Sequence, residues 1–293
     1  MERLEIQKTY KIYIGGQFPR TESGRYYNLT DKKGKTLANV CLCSRKDVRN
    51  AVVAARKAFG SWSERSAFNR SQILYRIAEM LEGRKAQFVE ELILQGSSKA
   101  NAVKEVELSI DRIVYYAGWC DKYNQIASSV NPVASSHFNF STCEPMGVVG
   151  IVAEQTTSLI GLVSIIMPII CGGNTAVVLA SEKLPLSAIT FAEVLNDSDV
   201  PGGVVNILTG KVDEMGPTLA SHMDVNALIV SNLQGEIRQK MSLEAVENLK
   251  RKFDFTQDWM HPTAQGLHFI LDTQEIKTTW HPIENIGGAT SSY

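Results

Sequence analysis

The stretch from Cys143 to Glu182 constrains this chain more than any other. Gly147–Ala153 is a short apolar run rich in Val and Ile, the composition of a strand buried on both faces. Leu159–Cys171 is equally apolar but longer than most strands, so it reads as a helix. Cys171-Gly172-Gly173-Asn174 is a stop and turn signal, and Ala176–Ala180 is a second buried strand. Strand, helix, turn and strand make a βαβ unit, for which a right-handed crossover is expected. The loop Glu154–Ser158 opens the helix N-terminus, where backbone N–H groups favour an anion. Ligands of open α/β sheets sit outside the carboxyl ends of the strands. That loop and the one after Ala180 are where a nucleotide would lie.

The alternation continues downstream. Pro185–Leu195 reads as a helix, Val204–Leu208 as a strand, Asp213–Ser221 as a helix, Val225–Val230 as a strand and Glu236–Lys252 as a long helix. Repeated β-then-α order predicts a doubly wound, Rossmann-like α/β fold with a parallel sheet. Upstream, Tyr10–Gly16 and Leu37–Leu42 look like strands. Ser44 with Asp47 three places on resembles a helix cap. Apolar stripes then predict helices over Asp47–Phe59, Asn69–Gln95 and Val106–Tyr123.

Two segments break the rhythm. Ser128, Ser129, Asn131 and Pro132 interrupt the helical pattern, and His137–Ser141 alternates like an edge strand or hairpin arm. Phe253–Gly266 is irregular, and His268–His281 alternates weakly, like a lone strand. Such a strand has to pair with something; the candidates are the strand near Phe138 and another subunit. Asn285–Tyr293 is rich in Gly and Ser and reads as a disordered tail.

Composition narrows the function. A net charge of -1 argues against nucleic acid and membrane-surface partners, which select basic footprints. Met1–Tyr10 lacks the apolar core of a signal peptide, and Leu159–Cys171 is too short to span a bilayer. Five cysteines, an odd number, read as reduced thiols, so a cytoplasmic location is expected. Cys41-x-Cys43 is at most half a metal site, and no His or Cys spacing completes it.

Several motifs together resemble the aldehyde dehydrogenase superfamily. They are Ile14-Gly15-Gly16 with Ser23-Gly24, Tyr115-Tyr116-Ala117-Gly118-Trp119, Glu144-Pro145-Met146-Gly147-Val148-Val149-Gly150, Gly173-Asn174-Thr175 with Ser181-Glu182, and Val200-Pro201-Gly202-Gly203-Val204-Val205-Asn206. Ile276-Lys277-Thr278-Thr279-Trp280 is similar to the family's oligomerisation strand. The resemblance implies an NAD(P)-binding-type domain over residues 1–123 and 144–252. It implies an oligomerisation hairpin and tail strand over 124–143 and 267–284, with a disordered tail over 285–293.

The departures from the family pattern carry the functional expectation. Thr156 falls where the family has the Asn that helps hold the oxyanion, and Leu179 falls where it has the Lys that grips the cofactor ribose. The acid after that Lys survives as Glu182, which also suits a helix N-terminus. The Gly-Ser turn before the next helix is replaced around Ser231-Asn232-Leu233, and Phe253-Asp254-Phe255-Thr256 stands in place of the general-base motif. The Gln-x-Cys nucleophile region is absent. Losing one oxyanion donor costs roughly a hundred- to thousandfold in rate, but covalent chemistry without its thiolate has no substitute. The whole arrangement resembles the degenerate second module of family-sixteen aldehyde dehydrogenases.

The resemblance therefore implies a non-catalytic, oligomerising subunit that pairs with itself or with a full-length aldehyde dehydrogenase. Glu182, Thr156 and Ser231 would mark a vestigial cofactor cleft. No cofactor is expected to bind tightly, and NAD(P) is the candidate if one binds. No catalytic or metal residue is expected in the chain. The alternatives are an NAD(P)-dependent oxidoreductase acting on aldehydes only with a partner chain, and a nucleotide-binding sensor without chemistry.

Overall fold

A computed structural model describes residues 6–283, so the expected disorder of Asn285–Tyr293 lies outside the described residues. Thr9–Tyr10 (β1), Tyr26–Thr30 (β2) and Thr36–Cys41 (β3) form a small sheet in the order β1-β3-β2. The strand expected over Tyr10–Gly16 stops early. Gly15 and Gly16 adopt φ of 61° and 80°, so the chain turns and Ile14 pairs with Gln17.

Arg45–Ser63 (α1) starts at the expected capping box, with Ser44 and Asp47 each serving the other's backbone. The stripe over Asn69–Gln95 forms two helices, Ala67–Gly83 (α2) and Lys85–Leu94 (α3). Gly83 is a weak helix former, and Arg84 leaves helical geometry between them while its guanidinium pairs with Glu193. Lys99–Ala117 (α4) and Tyr123–Ala127 (α5) follow, then Ser129–Asn131 (β4) and His137–Pro145 (β5).

The β/α alternation comes next: Val148–Val152 (β6), Ile160–Cys171 (α6), Thr175–Leu179 (β7), Leu186–Asn196 (α7), Val205–Leu208 (β8), Val212–Ser221 (α8), Ala227–Ser231 (β9) and Glu236–Val246 (α9). The last helix is shorter than its sequence pattern. Leu249 takes a positive φ of 55° and turns the chain into Arg251–Phe255 (β10), a strand where the residue pattern predicts helix and irregular chain. β10 lies at the sheet edge and is half polar, which hides its strand character.

These strands form one parallel sheet in the order β10-β9-β6-β7-β8. Alternate side chains feed two layers. Val149, Ile151, Val178, Ile207 and Ile229 share one core with α2, α4, α6 and α7. Val148, Val152, Val177, Leu179 and Val230 share the other with α1, α8 and α9. A parallel sheet covered on both faces is the doubly wound fold that the apolar strands predicted. Among the described residues no helix is long and apolar enough to cross a membrane.

His268–Leu271 (α10) and Gln274–Pro282 (β11) end the described chain. β11 pairs antiparallel with β5 along its whole length, and β4 pairs with the other edge of β5. The strand near Phe138 is therefore the centre of a three-stranded sheet, not its edge. Asn174 joins this sheet to the parallel one. Its buried amide accepts from the Gly147 N–H at 2.9 Å and donates to the Thr273 carbonyl at 2.9 Å.

Candidate functional site

β6, β7 and β8 run outward in one direction and β9 and β10 in the other, so the switch point of the sheet lies between β6 and β9. Glu154, two residues beyond β6, stands there. Its buried carboxylate accepts from Asn232 Nδ2 at 2.6 Å, from Ser231 Oγ at 3.4 Å and from the Thr156 hydroxyl. Thr156 and Ser231, two of the residues expected in the cleft, are thus brought together around an acid. Asn232 reaches it from a left-handed turn with φ of 50°, a conformation that Asn tolerates better than most residues.

Trp259 closes this cluster from the segment after β10. Its indole N–H donates to Ser231 Oγ at 3.0 Å, and the ring is 1% exposed. The ring packs against the first turn of α6. A Cβ on Gly161 would stand 2.8 Å from Glu154 Cβ and 3.3 Å from Trp259 Cδ1, so only glycine permits this approach.

Glu182 lies apart, beyond β7. Its carboxylate accepts from the Val212 N–H at 2.5 Å, capping α8, and pairs with Lys211 at 3.6 Å. Gln155 connects the two places: its side chain accepts from the Glu182 N–H at 2.9 Å and donates to the Ala153 carbonyl at 2.9 Å. The N-terminus of α6, which the sequence marks as anion-friendly, holds an acid from α4. Glu105 Oε1 accepts from the backbone N–H groups of Ser158, Leu159 and Ile160 at 3.1, 2.8 and 3.2 Å.

Glu105 and Trp259 are not singled out by the sequence, and Glu154 and Asn232 enter there only as members of a loop and of a replaced turn. Glu105 does leave a signal, since it shares the buried face of α4 with Ala102, Val106 and Ser109. An acid on such a stripe needs donors, and the donors in surplus are at a helix N-terminus.

Comparison with known proteins assigns the lineage. Residues 19–248 match the model of the aldehyde dehydrogenase family. This chain belongs to that family. It is 32% identical over 257 residues to the putative aldehyde dehydrogenase DhaS of Bacillus subtilis (strain 168), covering 85% of this chain and 51% of that protein. It is 32% identical over 261 residues to the cytosolic 10-formyltetrahydrofolate dehydrogenase of Mus musculus, covering 86% of this chain and 28% of that protein. The aldehyde dehydrogenase of Bacillus cereus, solved as an NAD+ complex, superposes with a TM-score of 0.79 at 25% identity, over 84% of this chain and 50% of that one. The chain therefore spans about half the length of these relatives, or less. β10, the Trp259 segment and β11 all follow the last residue matched to the family.

The thiols of this aldehyde dehydrogenase family chain are all free and buried. Cys120 and Cys171 touch each other, Sγ to Sγ at 3.4 Å, between α4 and α6. Burial pushes the Cys171 and Cys43 thiols well above their ordinary value and raises Cys41 and Cys143 as well. A thiolate nucleophile needs the opposite shift and an exposed position. Among the described residues no group of three or more His, Cys, Asp or Glu is placed to hold a metal ion.

Proposed function

We propose that this chain is a non-catalytic, oligomerising member of the aldehyde dehydrogenase family that works with itself or with a full-length relative. The observation that carries the reading is the state of the carboxyl edge. Glu105 already takes three N–H groups at the N-terminus of α6, and Glu154 takes the side-chain donors of Asn232, Ser231 and Thr156 at the switch point. These residues fit NAD(P) poorly at the α6 side of the switch point. A pyrophosphate there would have to displace the buried Glu105 and Glu154 carboxylates from hydrogen bonds that contribute about 1.5–3 kcal/mol each. Leu179, at the family's ribose-gripping position, is buried and carries no donor. The half-length match, with β10 connected to β11 through residues 256–273, is the arrangement expected of a degenerate second module.

The assembly half of the reading rests on the antiparallel sheet. Val130, Phe138, Ile276 and Trp280 are 68, 46, 67 and 57% exposed, and β11 has one edge unpaired among the described residues. Val130 and Phe138 lie on one face of this sheet and Ile276 and Trp280 on the other, the latter pair on the open-edged β11, and exposed apolar groups at an open edge are what a partner covers. The buried, unpaired thiols suit a reducing, cytoplasmic setting.

Purified chain mixed with NAD+ and a panel of aldehydes tests the first half; steady production of reduced cofactor would end it. Affinity capture from the native cell tests the second, and recovery of a full-length aldehyde dehydrogenase would identify the hetero-oligomer. The retained parallel sheet favours one runner-up, an oxidoreductase acting on aldehydes only with a partner chain. That reading predicts turnover in the captured complex that falls when this chain is removed.

A further inference from the structure

We infer that the segment after β10, residues 256–267, is a strap that plugs the cleft at the switch point, with Trp259 and Glu154 standing where a ligand would be, and that Arg112 is the positioning residue that holds the strap down. The inference rests on the proposed loss of cofactor binding and gives it a device.

Two independent attachments fix the strap. At one end Trp259 enters between the end of β9 and the first turn of α6, donating to Ser231, which in turn donates to Glu154. Phe255 and Phe269 back its ring, with centroids at 6.1 and 5.6 Å. At the other end Arg112, 1% exposed on α4, donates from Nη1 to the Ala264 carbonyl at 2.7 Å and to Ser164 Oγ at 2.6 Å, and from Nη2 to the His261 carbonyl at 3.2 Å. No carboxylate pairs with it in any described ion pair. A buried cation needs compensation. Here the compensation is two strap carbonyls and a hydroxyl, so the guanidinium is satisfied only while the strap is closed. Burial accordingly lowers its pKa.

The plug also explains why Ser231, Asn232 and Thr156 remain donors in a cleft without other work: each has Glu154 as its acceptor. An anion entering the switch point would meet the carboxylate and the indole together. Removing both should reopen the cleft to the class of ligand that a doubly wound sheet takes there, a dinucleotide.

The test uses the full chain. Arg112→Met keeps the bulk and removes the hydrogen bonds. Hydrogen exchange of strap amides should accelerate at least tenfold while amides of β6 and β9 stay unchanged; equal exchange in the strap would overturn the positioning role. Should Arg112→Met not fold, Arg112→Lys keeps the charge but cannot reach the Ala264 and His261 carbonyls from two separate nitrogens, and should raise strap exchange about threefold, with no change again overturning it. Equilibrium dialysis against NAD+ then reads the plug. Glu154→Gln with Trp259→Ala should bind NAD+ at least tenfold more tightly than the parent. A double variant with parental circular dichroism and no gain in affinity overturns the plug. Micromolar NAD+ binding by the parent overturns it too, yet leaves the non-catalytic reading standing, because that reading falls only with aldehyde turnover.

Discussion

The carboxyl edge of the parallel sheet and the antiparallel β4-β5-β11 sheet are opposites in one molecule. At the edge, the three acids all have internal partners: Glu105 takes three backbone N–H groups, Glu182 one, and Glu154 three side chains. At the antiparallel sheet, large apolar side chains face outward and both outer strands, β11 and β4, have one unpaired edge among the described residues. The first region is built like a core and the second like half an interface. The difference teaches that one family scaffold can be internally satisfied at its sheet edge and unsatisfied at its strand edge, which is the contrast the proposed function rests on. The carboxylates at the edge meet donors within the chain, whereas nothing among the described residues covers the exposed strand.

Four measurements can break or sharpen this contrast. Deleting Thr273–Tyr293 removes β11 and the partner of Asn174; an oligomer should become a monomer or an aggregate, and an unchanged elution volume would contradict the interface. Glu105→Ala strands three N–H groups at the closed edge. The expected loss is about 3 kcal/mol, or roughly 5 °C in melting temperature for a chain of this length; a drop of only about 1 °C would mean the edge is not internally held. Trp280→Ser probes the open region. Association should weaken roughly tenfold or more while the melting temperature of the dissociated chain stays the same; a large fall in that temperature would assign Trp280 to its own fold instead.

The smallest effect lies at the start of β10. Burial holds Lys250, just before β10, down at about 8. A depressed folded-state value means that stability is full above the unfolded pKa of 10.5 and is lost as pH falls through about 8. The parent should thus grow more stable between pH 8 and 10.5, and Lys250→Met should flatten that slope. Because the site is partly open to solvent, the change stays under about 1 kcal/mol. Parallel slopes in the two proteins would refute it.

Most of the parallel sheet is legible because its strands are buried on both faces and announce themselves as unbroken Val, Ile and Ala runs. β10 is not, since an edge strand with Arg251, Lys252 and Asp254 carries no such run. The pairing of β11 is legible only as two alternatives, because periodicity gives the face of a strand and not its neighbour. At the candidate site, Thr156, Ser231 and Glu182 can be placed at strand ends by counting from the βα pattern. What they touch cannot. The acid that gathers Thr156 and Ser231 is a neighbour in sequence to one and 77 residues from the other, and Glu105 reaches the α6 N-terminus across 53 residues. Such contacts follow from helix packing, which local spacing does not encode.

The pairing of β5 with β11 has a consequence during synthesis. Ser141 and Thr278 face each other across 137 residues of sequence, so at roughly 5–20 residues per second the ribosome needs about ten seconds to deliver the second strand after the first. For that interval β5 emerges with β4 on one side and bare amides on the other. A nascent chain in this state offers an unpaired strand to its surroundings, so the proposed assembly, if it forms, would begin on the polysome.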